Sequence, residues 1–89
     1  MTGAEALERF LSALVARDVS AHTRRAYATA VRQYLGWLEA RPELDWRRPG
    51  RAALRAYLAE LDGRGLARTT IAARVAALRS FYRHARREA

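Results

Sequence analysis

The chain has 89 residues, 17 basic against 9 acidic, and a formal net charge of +8. That length suits one domain, which buries about 60–70% of its unfolded surface and builds a modest core without staples. With no cysteine there is no disulfide framework and no thiolate metal site, and no apolar run reaches the ~18 residues that would span a membrane. Every basic residue is arginine, whose planar fork suits phosphate and guanine edges. The charge balance points to an anionic partner, either nucleic acid or a membrane surface. The first residues, Met1 to Glu5, are not basic and open no signal-peptide core, so a cytoplasmic location is expected.

The periodicity predicts four helices and no sheet, an all-α compact four-helix bundle. The first runs from about Gly3 to Arg17; Thr2 and Glu5 make a capping box, and Leu7, Phe10, Leu11, Leu14 and Val15 form its inner face. Asp18 and Val19 make a short corner. The second helix runs from about Ala21 to Glu39, capped by Ser20, with Tyr27, Val31, Tyr34, Leu35 and Leu38 inward and Arg25, Thr29 and Arg32 outward. The stretch from Ala40 to Gly50 is broken by Pro42 and Pro49, and Leu44 and Trp46 are expected to fold back onto the core. A third helix, about Arg51 to Leu61, turns in Leu54, Tyr57, Leu58 and Leu61 and ends at Asp62-Gly63-Arg64-Gly65. The fourth starts at Thr69 or Thr70 and runs to about Arg86, with Ile71, Val75, Leu78, Tyr82 and Ala85 as its stripe and Phe81 beside it.

A search for catalytic chemistry returns little. His22 and His84 lie on different helices without a carboxylate or cysteine at metal-ligand spacing, so no metal or other cofactor is expected. No serine sits in a G-x-S-x-G elbow, and Gly63-x-Gly65 ends a helix instead of opening one after a strand. The four tyrosines fall on inward stripes, where packing is the ordinary role, and His84 reads as solvated. By itself the domain reads as no enzyme.

Most single arginines on such a bundle are solvated surface, but two clusters stand out. His22, Thr23, Arg24 and Arg25 gather at one helix start. Arg64, Arg68, Thr69, Thr70 and Arg74 gather at another. Basic, hydroxyl-bearing helix starts suit phosphate contact, and the two would share one surface if the second and fourth helices lay side by side.

The ordered motifs resemble a family. Val19-Ser20-x-His22-Thr23-x-x-x-Tyr27, followed by Tyr34-Leu35-x-Trp37-Leu38, is similar to the second-helix region of tyrosine recombinases, the group of phage integrases and Xer-like and Cre-like proteins. Leu54-x-x-Tyr57-Leu58-x-x-Leu61 and Arg64-Gly65-Leu66-Ala67-x-x-Thr70-Ile71-x-x-Arg74-x-x-x-Leu78-Arg79-Ser80-Phe81-Tyr82 resemble the third and fourth helices of their N-terminal core-binding, or SAM-like, domain. The resemblance implies that residues 1–89 are one core-binding domain of a longer recombinase whose catalytic residues lie in a C-terminal domain outside this chain. It implies double-stranded DNA as partner, clamped near the cleavage site for integration and recombination. The contacts would come from Ser20, His22, Thr23, Arg24, Arg25, Thr29, Arg68, Thr69, Thr70 and Arg74. Relatives carry a basic pair where this chain has Ala73-Arg74. The resemblance also implies contacts with other recombinase protomers in a synaptic complex, the isolated domain being a monomer.

Two other readings stay open beside it. One is a non-enzymatic protein-interaction bundle whose basic face binds an acidic partner. The other is a peripheral membrane module, disfavoured because no outer face carries a row of Trp and Phe for insertion.

Overall fold

The computed structural model describes Met1–Glu88 and contains four helices: α1 (Gly3–Ala16), α2 (Ala21–Glu39), α3 (Arg51–Gly63) and α4 (Arg68–Arg87). The boundaries follow local chemistry. At α1, Thr2 Oγ1 accepts from the Glu5 N–H at 3.1 Å and Glu5 returns the contact, accepting from the Thr2 N–H at 2.9 Å. α1 ends at Ala16, one residue before the expected Arg17, because Asp18 adopts the left-handed conformation with φ 59°. The Val19 N–H then bonds the Leu14 carbonyl and the Asp18 N–H the Val15 carbonyl, a Schellman closure. α3 closes the same way through Gly65, φ 78°, with the Leu66 N–H reaching the Leu61 carbonyl. The helix runs two residues past the expected Leu61, since Asp62 and Gly63 remain helical before that turn.

The helices make a slab of 35 × 29 × 17 Å. Packed helix axes lie about 8–10 Å apart, so the short dimension is two layers deep. α2 packs against both α1 and α4, and α3 is held mainly by α4. A continuous seam of rings ties the layers together. Phe10 of α1 stacks on Tyr27 of α2 and meets Phe81 of α4 edge-on, with centroids 6.1 and 5.8 Å away. Phe81 meets Tyr82, Tyr82 meets Tyr34, and Tyr34 meets Tyr57 of α3, each edge-to-face at 5.1–6.0 Å. Leu44 and Trp46 do fold back onto this core. Trp46 also packs at the start of α1, where a Cβ on Gly3 would meet Leu35 Cδ2 at 3.0 Å.

Two expectations about burial are corrected. Val15, placed on the inner face of α1, is 58% exposed; Leu11 and Leu14 already span the stripe, and Val15 lies past its edge at the unwinding end. His84, read as solvated, is half-buried with its ring 5.8 Å from Phe10.

The polar groups inside the seam are ordered. Tyr82 Oη donates to the Trp46 carbonyl at 2.6 Å, which leaves Tyr34 Oη as donor to Tyr82 at 2.7 Å. Tyr82→Phe removes both bonds and orphans the Trp46 carbonyl and the fully buried Tyr34 hydroxyl. It is expected to cost about 1–3 kcal/mol, against about 1 kcal/mol for Tyr34→Phe. Urea unfolding of the two variants checks the order; equal losses would mean the chain of bonds does not run this way.

Candidate nucleic-acid interface

α2 and α4 meet through two side-chain bonds. Arg74 Nη1 donates to Gln33 Oε1 on the exposed side, and Tyr34 Oη bonds Tyr82 Oη inside. Thr23 and Tyr27 of α2 share a cleft of about 150 Å³ with Ser80, Arg83, His84 and Arg87 of α4. The far end of α4 passes on to α1, where His84 and Glu88 line a groove with Glu8 and Ser12, so α4 crosses the α1/α2 pair. The two helix starts do not meet: Thr23 is ten residues from Gln33, about 15 Å along α2, and Thr70 lies four residues before Arg74, about 6 Å along α4.

At the α2 end, several of the expected residues hold the corner. Ser20 Oγ accepts from the Thr23 N–H at 3.2 Å and donates to Thr23 Oγ1 at 3.0 Å. Arg24 is half-buried and turns back, its Nη1 donating to the Val19 carbonyl at 2.6 Å. His22, Arg25 and Thr29 are exposed. The basic neighbours of this end are Arg17, Arg83 and Arg87, which line the same cleft as Thr23.

At the α4 end, Arg68, Thr69 and Thr70 are exposed. The residue before them, Ala67, has no side chain to accept a hydrogen bond, so their first-turn N–H groups carry no side-chain cap. With no acidic residue in that turn, the end is electropositive. Arg74, half-buried, stands between the two ends, and Ala73 beside it supplies no second charge. Among the described residues the one ion pair is Arg64–Glu60, on α3 and its cap, so the arginines of this face are held by no carboxylate.

The sequence reading missed Gln33, Ser80, Arg83 and Arg87 on this face. Gln33 was within reach, since His22, Thr29 and Gln33 recur at i, i+7 and i+11 on one edge of α2. The contribution of Ser80, Arg83 and Arg87 depends on how α4 packs against α2, which no local pattern encodes.

Residues 7–89 match the family model described as phage integrase, N-terminal SAM-like domain. Among similar proteins is tyrosine recombinase XerC of Listeria innocua serovar 6a, 34% identical over 82 residues, covering 91% of this chain and 27% of the relative. XerC of Xanthomonas campestris pv. campestris is 36% identical over 78 residues, covering 86% and 24%. XerC of Roseiflexus castenholzii is 37% identical over 79 residues, covering 88% and 25%. The chain thus spans about a quarter of the length of these relatives. No solved structure matches it. With its four helices in the expected order and nearly all of its length matched, the chain belongs to the phage integrase N-terminal SAM-like domain family.

Proposed function

We propose that this chain is the DNA-binding module of a site-specific tyrosine recombinase, laying its α2/α4 face on duplex DNA near the cleavage point. The observation that carries this is the junction of α2 and α4 through Gln33 and Arg74, with basic and hydroxyl side chains exposed toward each helix start. Arg25 is exposed near the start of α2, Arg83 and Arg87 line the cleft beside Thr23, and Arg68, Thr69 and Thr70 are exposed at the start of α4. Groups so spread suit phosphates on the rims of the B-DNA major groove, which is about 12 Å wide. The middle of the face, Thr29, Gln33 and Arg74, then lies over base edges.

In this reading residues 1–89 are one core-binding domain of a longer cytoplasmic protein, other protomers join it in a synaptic complex, and the cutting chemistry resides elsewhere. The tyrosines support that division. Burial raises the pKa of Tyr34, Tyr57 and Tyr82, which keeps their phenols neutral and poor as nucleophiles. No helix among the described residues is long and apolar enough to cross a membrane.

One feature favours the acidic-partner reading. An open groove between α3 and α4 has Leu54, Leu58 and Val75 along it, with Arg51, Arg79 and Arg86 at its edge. Amide shifts recorded while duplex DNA is added separate the two. Perturbations are expected at His22–Thr29 and Arg68–Arg74. If they were confined to α1 and α3, the α2/α4 face would be the wrong one.

A further inference from the structure

The bond between Gln33 and Arg74 joins side chains 41 residues apart across the open side of the helix pair. The other side-chain bond between helices, Tyr34 to Tyr82, is interior. Beneath Arg74, the Tyr57 hydroxyl is buried and has no hydrogen-bond partner. Gln33 accepts a bond from the guanidinium on its outer side, and the Tyr57 hydroxyl lies close to the same guanidinium within.

The bond also changes what Gln33 offers. A free glutamine amide presents one acceptor and two donors, the pattern that matches adenine N7 and N6. Arg74 takes one of the two lone pairs of the Gln33 oxygen; Gln33 keeps its two N–H donors, and every remaining polar group of Arg74 is a donor as well. The pair shows a surface dominated by donors, held by a bond between two helices. It complements two adjacent acceptors better than adenine or cytosine, each of which puts an amino donor in the major groove.

We propose that Gln33 and Arg74 act as a single donor unit that grips a pair of acceptors on duplex DNA, an inference resting on the DNA-binding reading above. Acceptor pairs have two sources there, guanine N7 and O6 or phosphate oxygens, and both share this chemistry.

The test is fluorescence anisotropy on a short G·C-containing duplex, with wild type, Gln33→Ala, Arg74→Ala and the double variant. Each single change is expected to weaken binding about tenfold. The double variant is expected to lose no more than Arg74→Ala alone, because either change dismantles the unit. Repeating the series on a duplex in which carbon replaces the guanine N7 nitrogen separates the sources. A guanine contact makes wild type lose affinity and leaves Arg74→Ala unmoved. A phosphate contact leaves wild type unchanged, while Arg74→Ala flattens the salt slope by about one. Either result keeps the unit.

The unit is overturned if Gln33→Ala binds like wild type, or if the two losses multiply in the double variant. Absence of any salt-dependent binding by wild type overturns the DNA reading itself and is told apart on that ground. Gln33 is exposed on a helix surface, so unchanged helical ellipticity verifies that its variant is folded.

Discussion

Raising salt from about 50 to about 200 mM is expected to weaken duplex binding several hundredfold, with log affinity falling against log salt at a slope near −4 to −5. That slope corresponds to about five neutralised phosphates. About that number of cations and donors on the face have no backbone or carboxylate partner: Arg25, Arg83, Arg87, the uncapped start of α4 with Arg68, and Arg74, whose bond to Gln33 leaves its other N–H donors to bind. Arg24 is left out of the count because it is occupied by the Val19 carbonyl. Arg25→Ala is therefore expected to flatten the slope by about one, and Arg24→Ala by less, its loss appearing as stability of the corner. Arg9→Ala, on α1, is expected to do little. Absolute affinity of the isolated domain is expected to be low, since a clamp needs its second half to raise the effective concentration. Anisotropy titrations at several salt concentrations check this. A slope near zero would remove phosphate neutralisation as the source of binding.

How much of this was legible in the residues differs by scale. Helix existence was, and the bounds to within two residues (α4 opens at Arg68, not at the expected Thr69 or Thr70), because most ends carry their own chemistry: the Thr2–Glu5 box, the Ser20 cap, the Gly65 turn. The second helix falls at Ala21–Glu39 as its stripe and cap require. Burial was legible where stripes are wide and blurred at their edges, which is why Val15 and His84 moved. The site was legible as a set of residues but not as an arrangement. Two helix starts look alike in sequence whether they meet or stand apart, and the way α4 crosses α2 is set by long-range packing of Phe10, Tyr34 and Phe81. For the same reason Arg24 looked like its neighbour Arg25, although one fastens a corner and the other faces solvent. The family resemblance points to duplex DNA as the partner class, but the pairing of Gln33 with Arg74 is visible only once the helices are in place.

Alkaline titration is expected to unfold the domain in a single cooperative step above pH 10. Tyr34, Tyr57 and Tyr82 all have pKa values raised from 10.0, in each case chiefly because burial disfavours the phenolate. At Tyr57 the nearby Arg74 guanidinium opposes that rise without reversing it. The sign follows directly. Below pH 10 these phenols are neutral in both states and their full contribution to stability is present. Above it the unfolded chain loses protons that the folded chain keeps, so stability falls as pH rises. Each such tyrosine removes up to about 1.4 kcal/mol per pH unit until the pH reaches its own folded-state pKa, so the loss is carried furthest by Tyr82, whose hydroxyl is shifted most. A native domain holds only about 5–15 kcal/mol, so the loss is a large share of stability. Composition isolates the effect, because the chain has no lysine and no cysteine, and arginine stays protonated through this range. Tyrosinate absorbance and helical ellipticity are expected to change together. Tyr57→Phe, which removes a hydroxyl that bonds nothing, is expected to move the transition to higher pH at little cost near neutrality. A gradual rise of tyrosinate absorbance around pH 10 with the helices intact would show that these rings are open to water.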